Sequence, residues 1–389
     1  MKKVKLREIA ELITKGTTPT TLGFSFEEKG IRFYKIESFN ENGNFNENRI
    51  AYISEECNNK MKRSCLQEND ILFSIAGALG RVAIVEADML PANINQALAI
   101  IRIKDEAIYL PYIKLILSSN IIKKQIQKKK QGVAQLNLSL NDIKELEIPI
   151  PNKENQIVYV QKINKIRDVL LKRKEQLKIF DELIQSRFVE EFGDLKINPK
   201  KWKIKTFDEM TDLITDGEHA TPRRTEEGIY LLSARNIMNH TIKLEDVDYI
   251  DQAEYDRISK RIHPKEGDVL ISCSGTVGRC CSVPAELKFQ MVRSVALLRF
   301  KNEINPIFAE YMITSDYLKE QIDRSKTQSS QANLFQGKIK KLKGFVPPID
   351  LQNQFAAFVQ QINKSKFEIQ KSLEKTQLLF DSLMQEYFG

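Results

Sequence analysis

Glutamine, asparagine, arginine and lysine on polar loops are the residue types that read base edges and hold phosphates. This chain carries them in two matching sets, Gln131, Gln135 and Asn137 and then Gln328, Gln331 and Asn333. Cations cluster at Lys123, Lys124, Lys128, Lys129 and Lys130, at Arg223 and Arg224, and at Lys338, Lys340, Lys341 and Lys343. Such clusters bind phosphate without reading sequence. A threonine-rich loop places Lys15, Thr17 and Thr18 in the same class, and the segment 216–224 answers it. Arg81 and Arg279 each close a glycine turn, where they either bind phosphate or pair with a domain carboxylate. The glycines of those turns read as turn formers, needed for positive φ. The net charge of +8 and a pI near 9.0 favour a polyanionic partner.

Catalysis finds no comparable support. Val346-Pro347-Pro348-Ile349 lacks both the polar residue and the aromatic of a methyltransferase motif. No G-x-x-x-x-G-K-[ST] phosphate loop occurs. The three histidines, His219, His240 and His263, form no zinc spacing with the five cysteines and define no nucleophilic triad. No metal site is expected. The odd cysteine count and its irregular spacing argue against a disulfide framework, and the cysteines and Trp202 read as core. No apolar run reaches the roughly 18–20 residues of a membrane span. The N-terminal MKKVKLREIAELITKG has no apolar signal region, so a cytoplasmic location is expected.

The elements that must position these residues emerge from an internal repeat. Asp70-Ile71-Leu72-Phe73-Ser74 through Gly77, Gly80 and Arg81 returns 198 residues later as Asp268-Val269-Leu270-Ile271-Ser272 through Gly275, Gly278 and Arg279. Both read D-[IV]-L-[FI]-S-x-x-G-x-x-G-R. Ala99-Ile100-Ile101-Arg102 is answered by Ala296-Leu297-Leu298-Arg299, and Val160-Gln161-Lys162-Ile163-Asn164-Lys165 by Val359-Gln360-Gln361-Ile362-Asn363-Lys364. Each unit opens with a segment read as a short amphipathic helix (6–14; 207–215). Brief strands follow, then one helix (111–130; 306–323) and a polar loop. The strands predict a curved, mostly antiparallel sheet with flanking helices.

Each unit ends in a long helix. From Lys153 to Phe192 there is no Gly or Pro, and Tyr159, Ile163, Ile166, Leu170, Leu177, Phe180 and Ile184 recur at a period of about 3.5, with a break at Arg173. The second stripe is Phe358, Ile362, Ile369, Leu373, Phe380 and Leu383. Roughly 40 residues make a rod of about 60 Å. The simplest closed arrangement pairs the two rods antiparallel; Arg173 is either a tolerated break in the seam or faces a carboxylate across it and fixes the register. The expected fold class is α+β: two tandem mixed α/β domains (1–151 and 195–348) separated by two long antiparallel coiled-coil helices (152–194 and 349–389), with a pseudo-two-fold internal repeat.

The tandem D-[IV]-L-[FI]-S-x-x-G-x-x-G-R segments, the hydrophobic-Pro stretches, and helices beginning Glu154-Asn155-Gln156 and Gln352-Asn353-Gln354 resemble the DNA-specificity subunit of type I restriction–modification systems. The resemblance covers essentially the whole chain. It implies a non-catalytic subunit in which each domain is a target recognition domain reading half of a split double-stranded DNA site. It implies helices that set the spacer and dock two methyltransferase (modification) subunits, with two restriction/translocase subunits completing the complex. S-adenosylmethionine, ATP and magnesium would belong to those partners. A coiled-coil scaffold without DNA readout is the alternative; the basic loops count against it.

Overall fold

The computed structural model describes residues 3–129, 137–325 and 333–388. The chain divides into two compact units, one of residues 1–174 and 372–389, the other of residues 175–371. The central helix Lys153–Phe192 and the C-terminal helix Ile349–Phe388 are each 40 residues long, and each contributes one half to either unit.

In the first unit the segment read as an opening helix is mostly strand. Only Leu6–Ile9 is helical, and Ala10–Lys15 then runs as a strand. The 3.6-residue pattern was mimicked by a bulge between Ala10 and Leu12, which shifts alternation by one residue. That strand pairs antiparallel with Leu98–Ile103, which pairs with Ile71–Ser74, which pairs with Val82–Ile84. A second, three-stranded sheet orders Ala51–Ile53, Ile31–Tyr34 and Ala92–Ile94, the last pair parallel. The single sheet expected from the strand pattern is therefore split into these two sheets and a separate antiparallel pair, Lys3–Lys5 with Glu147–Pro149. The fully buried faces of Leu72 and Ile100 pack toward the second sheet, and those of Phe73 and Ile101 toward the helices.

The second unit repeats this plan. Thr211–Asp216, Val295–Phe300, Val269–Ser272 and Cys280–Ser282 form the first sheet. Arg224–Thr225, Asp248–Ile250, Ile229–Leu232 and Phe289–Met291 form the other, again with one parallel pair. Its opening helix is likewise only Phe207–Met210.

The helix expected over 111–130 is two helices, Leu110–Leu117 and Asn120–Lys129. Ser118 and Ser119 break it by donating their hydroxyls to the carbonyls of Lys114, Leu115 and Ile116, which end the first helix. The second copy breaks at the same place, between Pro306–Ile313 and Asp316–Ser325, through Thr314 and Ser315.

A buried glutamine fixes each long helix to its domain. Gln156 accepts from the Tyr109 N–H at 2.8 Å and donates to the Pro151 carbonyl at 2.9 Å. Gln352 accepts from the Asn305 N–H at 2.9 Å and donates to the carbonyls of Pro347 and Glu303. An amide that accepts from one segment and donates to another joins both without leaving either polar end unsatisfied.

Within each unit the helix halves run antiparallel. In the first, Tyr159 stacks on Tyr387 with ring centroids 4.0 Å apart. In the second, Lys366 meets Asp181 at 2.5 Å and Phe188 packs edge-on against Phe355. Of the sequence-read seam, Ile163, Leu170, Ile184 and Ile362 are buried. Tyr159, Ile166, Leu177, Phe180, Phe358, Ile369, Leu373, Phe380 and Leu383 are half-buried. Val160, Phe188, Phe192, Val359 and Phe388, absent from that seam, are also buried. They lie where the helices touch their domains, so the buried stripe is wider than a two-helix seam. Among the described residues Arg173 pairs with no carboxylate. Its guanidinium donates to the Ser372 carbonyl at 2.8 Å and to the Thr376 hydroxyl.

Candidate nucleic-acid interface

In each unit one end of the four-stranded sheet gathers the loops that carry polar candidates. In the first unit Lys15 ends its strand opposite Ala99. Ser74 ends its own opposite Leu98, and Ile75 donates its N–H to the Ala97 carbonyl. The chain leaving 130–136 rejoins at this end, where the Leu138 N–H donates to the Ile75 carbonyl at 2.8 Å. Lys15, the loop through Thr17 and Thr18, the turn 76–81 and Asn137 therefore share one edge. Lys15 and Asn137 are exposed, Thr17 and Thr18 half-buried, and the Thr18 hydroxyl donates to the Gln96 side chain.

The second unit builds the same edge. Asp216 lies opposite Ala296, Cys273 donates to the Ser294 carbonyl, and Leu334 donates to the Cys273 carbonyl. Asn333 is half-buried and bridges to Ser274. Gly16 and Gly217 bring both loops against neighbouring backbone. A Cβ at either would collide with the carbonyl of Ile94 or Val292. Gln131, Gln135, Gln328 and Gln331, with Lys130, lie outside the described residues.

The repeated motif proves to be a framework for this edge. The Ser74 hydroxyl donates to the Ala78 carbonyl and accepts from the Arg81 N–H at 2.8 Å. Ser272 does the same with Thr276 and Arg279. Gly77, Gly80, Gly275 and Gly278 all have positive φ, which the clamped turn requires. Among the described residues Arg81 pairs with no carboxylate; its guanidinium donates to the carbonyls of Ile36 and Phe39, at 3.4 and 3.3 Å. Arg279 lies with one guanidinium nitrogen 3.2 Å from the Met238 sulfur.

The motif aspartates are the buried anchors. Asp70 is fully buried and takes both nitrogens of Arg102, at 2.7 and 2.8 Å. Asp268 takes Arg299 in the same way, at 2.8 and 2.7 Å. Hydrogen bonding to the carboxylate raises each arginine above its ordinary pKa, partly offset by burial. Two-point pairing fixes the strand carrying each arginine against the strand carrying each aspartate. The signal was present in sequence, since Arg102 and Arg299 close the second repeated segment. Nothing in their spacing identified the partner.

To Arg223 and Arg224 the second unit adds Arg235, Arg257 and Arg261, which motif reading missed. Arg235 and Arg224 share Asp248, and Arg223 meets Asp251. The Asp251 carboxyl is held below the usual carboxylate range, first by the Glu254 backbone N–H and then by Arg223. Arg257 and Arg261 flank Glu218, and Arg261 donates to the Gly217 carbonyl at 2.8 Å. Arg223 and Arg224 thus stand on or beside an edge strand of the second sheet, already held by carboxylates. Lys340 is likewise near Asp208, at 3.2 Å.

Among the described residues no group of three or more His, Cys, Asp or Glu side chains could hold a metal. None of the described helices is long and apolar enough to cross a membrane. Cys57, Cys273, Cys280 and Cys281 are buried free thiols and Cys65 is half-buried. Burial pushes the Cys273 thiol up to about 12. Trp202 packs against the second unit's core and donates its indole N–H to the Phe192 carbonyl at 2.8 Å.

A family model described as "Type I restriction modification DNA specificity domain" matches residues 1–179 and again 199–378. A type I restriction enzyme EcoBI specificity subunit from Escherichia coli is 33% identical over 139 residues, which is 35% of this chain and 28% of that protein. The fold matches a chain solved in work on complex assembly and conformational transition of a type I R-M system, with a TM-score of 0.63 and 17% identity. That match covers 99% of this chain and 97% of the other. It also matches a type I restriction–modification S subunit from M. genitalium, with a TM-score of 0.57, 16% identity, and coverage of 100% and 96%.

Proposed function

The chain belongs to the type I restriction modification DNA specificity family, and from that premise we propose that it is the non-catalytic recognition subunit of a complex that methylates and cleaves DNA. Each unit reads one half of a bipartite double-stranded site. The long helices set the spacer and carry two modification subunits, to which two restriction subunits add. S-adenosylmethionine, ATP and magnesium act in those partners.

One observation carries this reading. The two copies hold the same Asp–Arg pair and the same serine-clamped turn, yet differ in the polar residues brought to the sheet edge. Lys15 and Thr17 in one stand where Asp216 and Glu218 stand in the other. A common frame with different reading residues suits two readers of unlike half-sites, since base discrimination depends on the donors and acceptors presented. The halves of such a site lie about one helical turn apart, as in dimeric DNA binders.

Exposed apolar side chains support docking along the helices. Leu171, Leu378 and Leu379 stand out from the first unit's helix pair, and Ile179, Leu183 and Phe367 from the second's. Such residues suit the buried centre of a protein interface.

The test is co-expression with the modification subunit and long-read methylation sequencing. One bipartite motif dependent on this chain is expected. Exchanging residues 1–151 for those of another family member should change one half of the motif only. A motif that does not depend on this chain, or an exchange that alters both halves, overturns the reading. Duplex binding without a steep salt slope would favour the scaffold alternative.

A further inference from the structure

The first unit contains a cleft of about 1580 Å³ between its helix Leu110–Leu117, its share of the two long helices, and the loop around Gly43. About half of its wall is apolar, with Leu115, Leu170, Phe380, Met384 and Phe388 among the apolar residues. Six cations line it; Lys123, Lys124, Lys153 and Lys174 are exposed at its rim, and Lys114 and Arg167 are half-buried inside it. Neither has a hydrogen bond or an ion pair among the described residues. Burial pushes both below their ordinary pKa, and for Lys114 the nearby Arg167 pushes further in the same direction. The carboxylates on the wall, Glu41, Glu47, Glu86 and Asp381, close no ion pair with either.

The second unit supplies an internal control. Its corresponding cleft is about 1110 Å³. With the helices aligned on Gln156 and Gln352, Glu310 stands where the first copy has Lys114, His240 where it has Gly43, Asn363 where it has Arg167, and Lys366 where it has Leu170. The repeated Phe-Asp pair puts Asp181 where the first copy has Asp381. There every charged group has a partner. His240 Nδ1 lies 2.8 Å from Glu310 Oε2, the Ser282 N–H donates to the same carboxylate, and the His240 ring stacks on Tyr311 at 4.0 Å. Lys366 meets Asp181 at 2.5 Å. In the first copy Gly43 offers no side chain, and a Cβ there would come within 2.9 Å of the Lys114 ammonium. Asp381 accepts from Gln377 and leaves Arg167 alone.

We propose that the first unit's cleft binds an amphipathic segment of a protein partner through a carboxylate placed between Lys114 and Arg167, and that the second unit's cleft does not. A half-buried cation without a counter-ion is costly, and a complementary charge removes that cost. The apolar half of the wall selects the rest of the occupant. A duplex phosphate backbone is stiff, convex and fully hydrated, and meets exposed cations; a helix with acids on one face and leucines on another fills such a cleft. The inference does not depend on the DNA-reading role. It adds that two copies of one partner would meet chemically different seats.

The experiment uses the full chain and a fluorescein-labelled amphipathic peptide of leucine and glutamate, with a twin carrying glutamine at every acid, read by anisotropy. One peptide per chain is expected, with the twin about tenfold weaker, as the loss of one charged hydrogen bond at about 1.4 kcal/mol implies. Arg167→Glu and Lys114→Glu should each abolish the preference for the acidic peptide. Arg167→Gln, the milder variant, should reduce it about tenfold, and circular dichroism melts confirm folding of each. Lys366→Gln in the second unit should change affinity less than about twofold. Equal binding of both peptides, no binding of either, or an equal loss with Lys366→Gln overturns the proposal. So does displacement of the peptide by non-specific duplex DNA together with a matching loss of DNA affinity in Arg167→Glu, which would make the cleft a backbone-binding site. Failure to form a methylating complex in cells leaves these peptide outcomes unchanged and counts against the proposed function alone.

Discussion

The two copies differ most where they need not agree to fold. Asp70–Arg102 and Asp268–Arg299 have the same geometry to within 0.1 Å, and Ser74 and Ser272 close their turns alike. The clefts beside the long helices do not agree. One places a lysine beside a glycine, the other a glutamate beside a histidine. The anchors hold strands in register, so a change there costs folding. The cleft charges hold nothing in the first copy, so their sign is free to follow a ligand.

The hardest blow to this comparison is removal of an anchor. Asp70→Ala or Asp268→Ala removes a buried carboxylate from a half-buried arginine and should cost about 2–4 kcal/mol. Hydrogen exchange read by mass spectrometry should show the loss confined to the unit mutated. Equal loss of protection in both units would mean that the copies are not separate folding bodies.

Next come the glutamines. Gln352→Ala removes three hydrogen bonds and should destabilise by about 3 kcal/mol; Gln156→Ala removes two and should cost about 2 kcal/mol. Urea denaturation of the two variants checks the order.

The cleft charges should split in sign. Glu310→Gln weakens a buried pair with His240 and should cost about 1–2 kcal/mol. Lys114→Gln removes a cation with no partner and should be neutral or stabilising. Thermal melts giving both the same sign would erase the contrast on which the cleft inference rests. Smallest of all, Arg173→Leu gives up a hydrogen bond to the Ser372 carbonyl in a half-exposed position, and should cost under about 1 kcal/mol in a denaturant titration.

Much of the scaffold was legible before any coordinates. The repeat, the long helices and the glycines of the serine turn all follow from local pattern. Two kinds of error show where local pattern stops. The opening segments 6–14 and 207–215 carried a helical rhythm, but a bulge and pairing with a mostly buried strand made them mostly strand. The helices at 111–130 and 306–323 broke at Ser118-Ser119 and Thr314-Ser315, because side-chain hydroxyls competed for the last carbonyls. The candidate edge was legible only in part. Lys15, Thr17, Thr18 and Asn137 come together on it, whereas Arg81 is spent on the carbonyls of Ile36 and Phe39, and Arg223 and Arg224 on aspartates.

The sequence by itself determined that this chain is one unit written twice, with helices too long and too regularly striped to stand alone. Periodicity and repetition are properties of the string, and they survive without coordinates. Only the tertiary structure decided which residues meet. Asp70 and Arg102 lie 32 residues apart, and Gly43 and Lys114 lie 71 apart. The energy of a charge depends on what stands beside it within a few ångströms and how much water remains. That is why the same repeat could yield a neutral seat in one copy and a cationic one in the other without any sign of it along the chain.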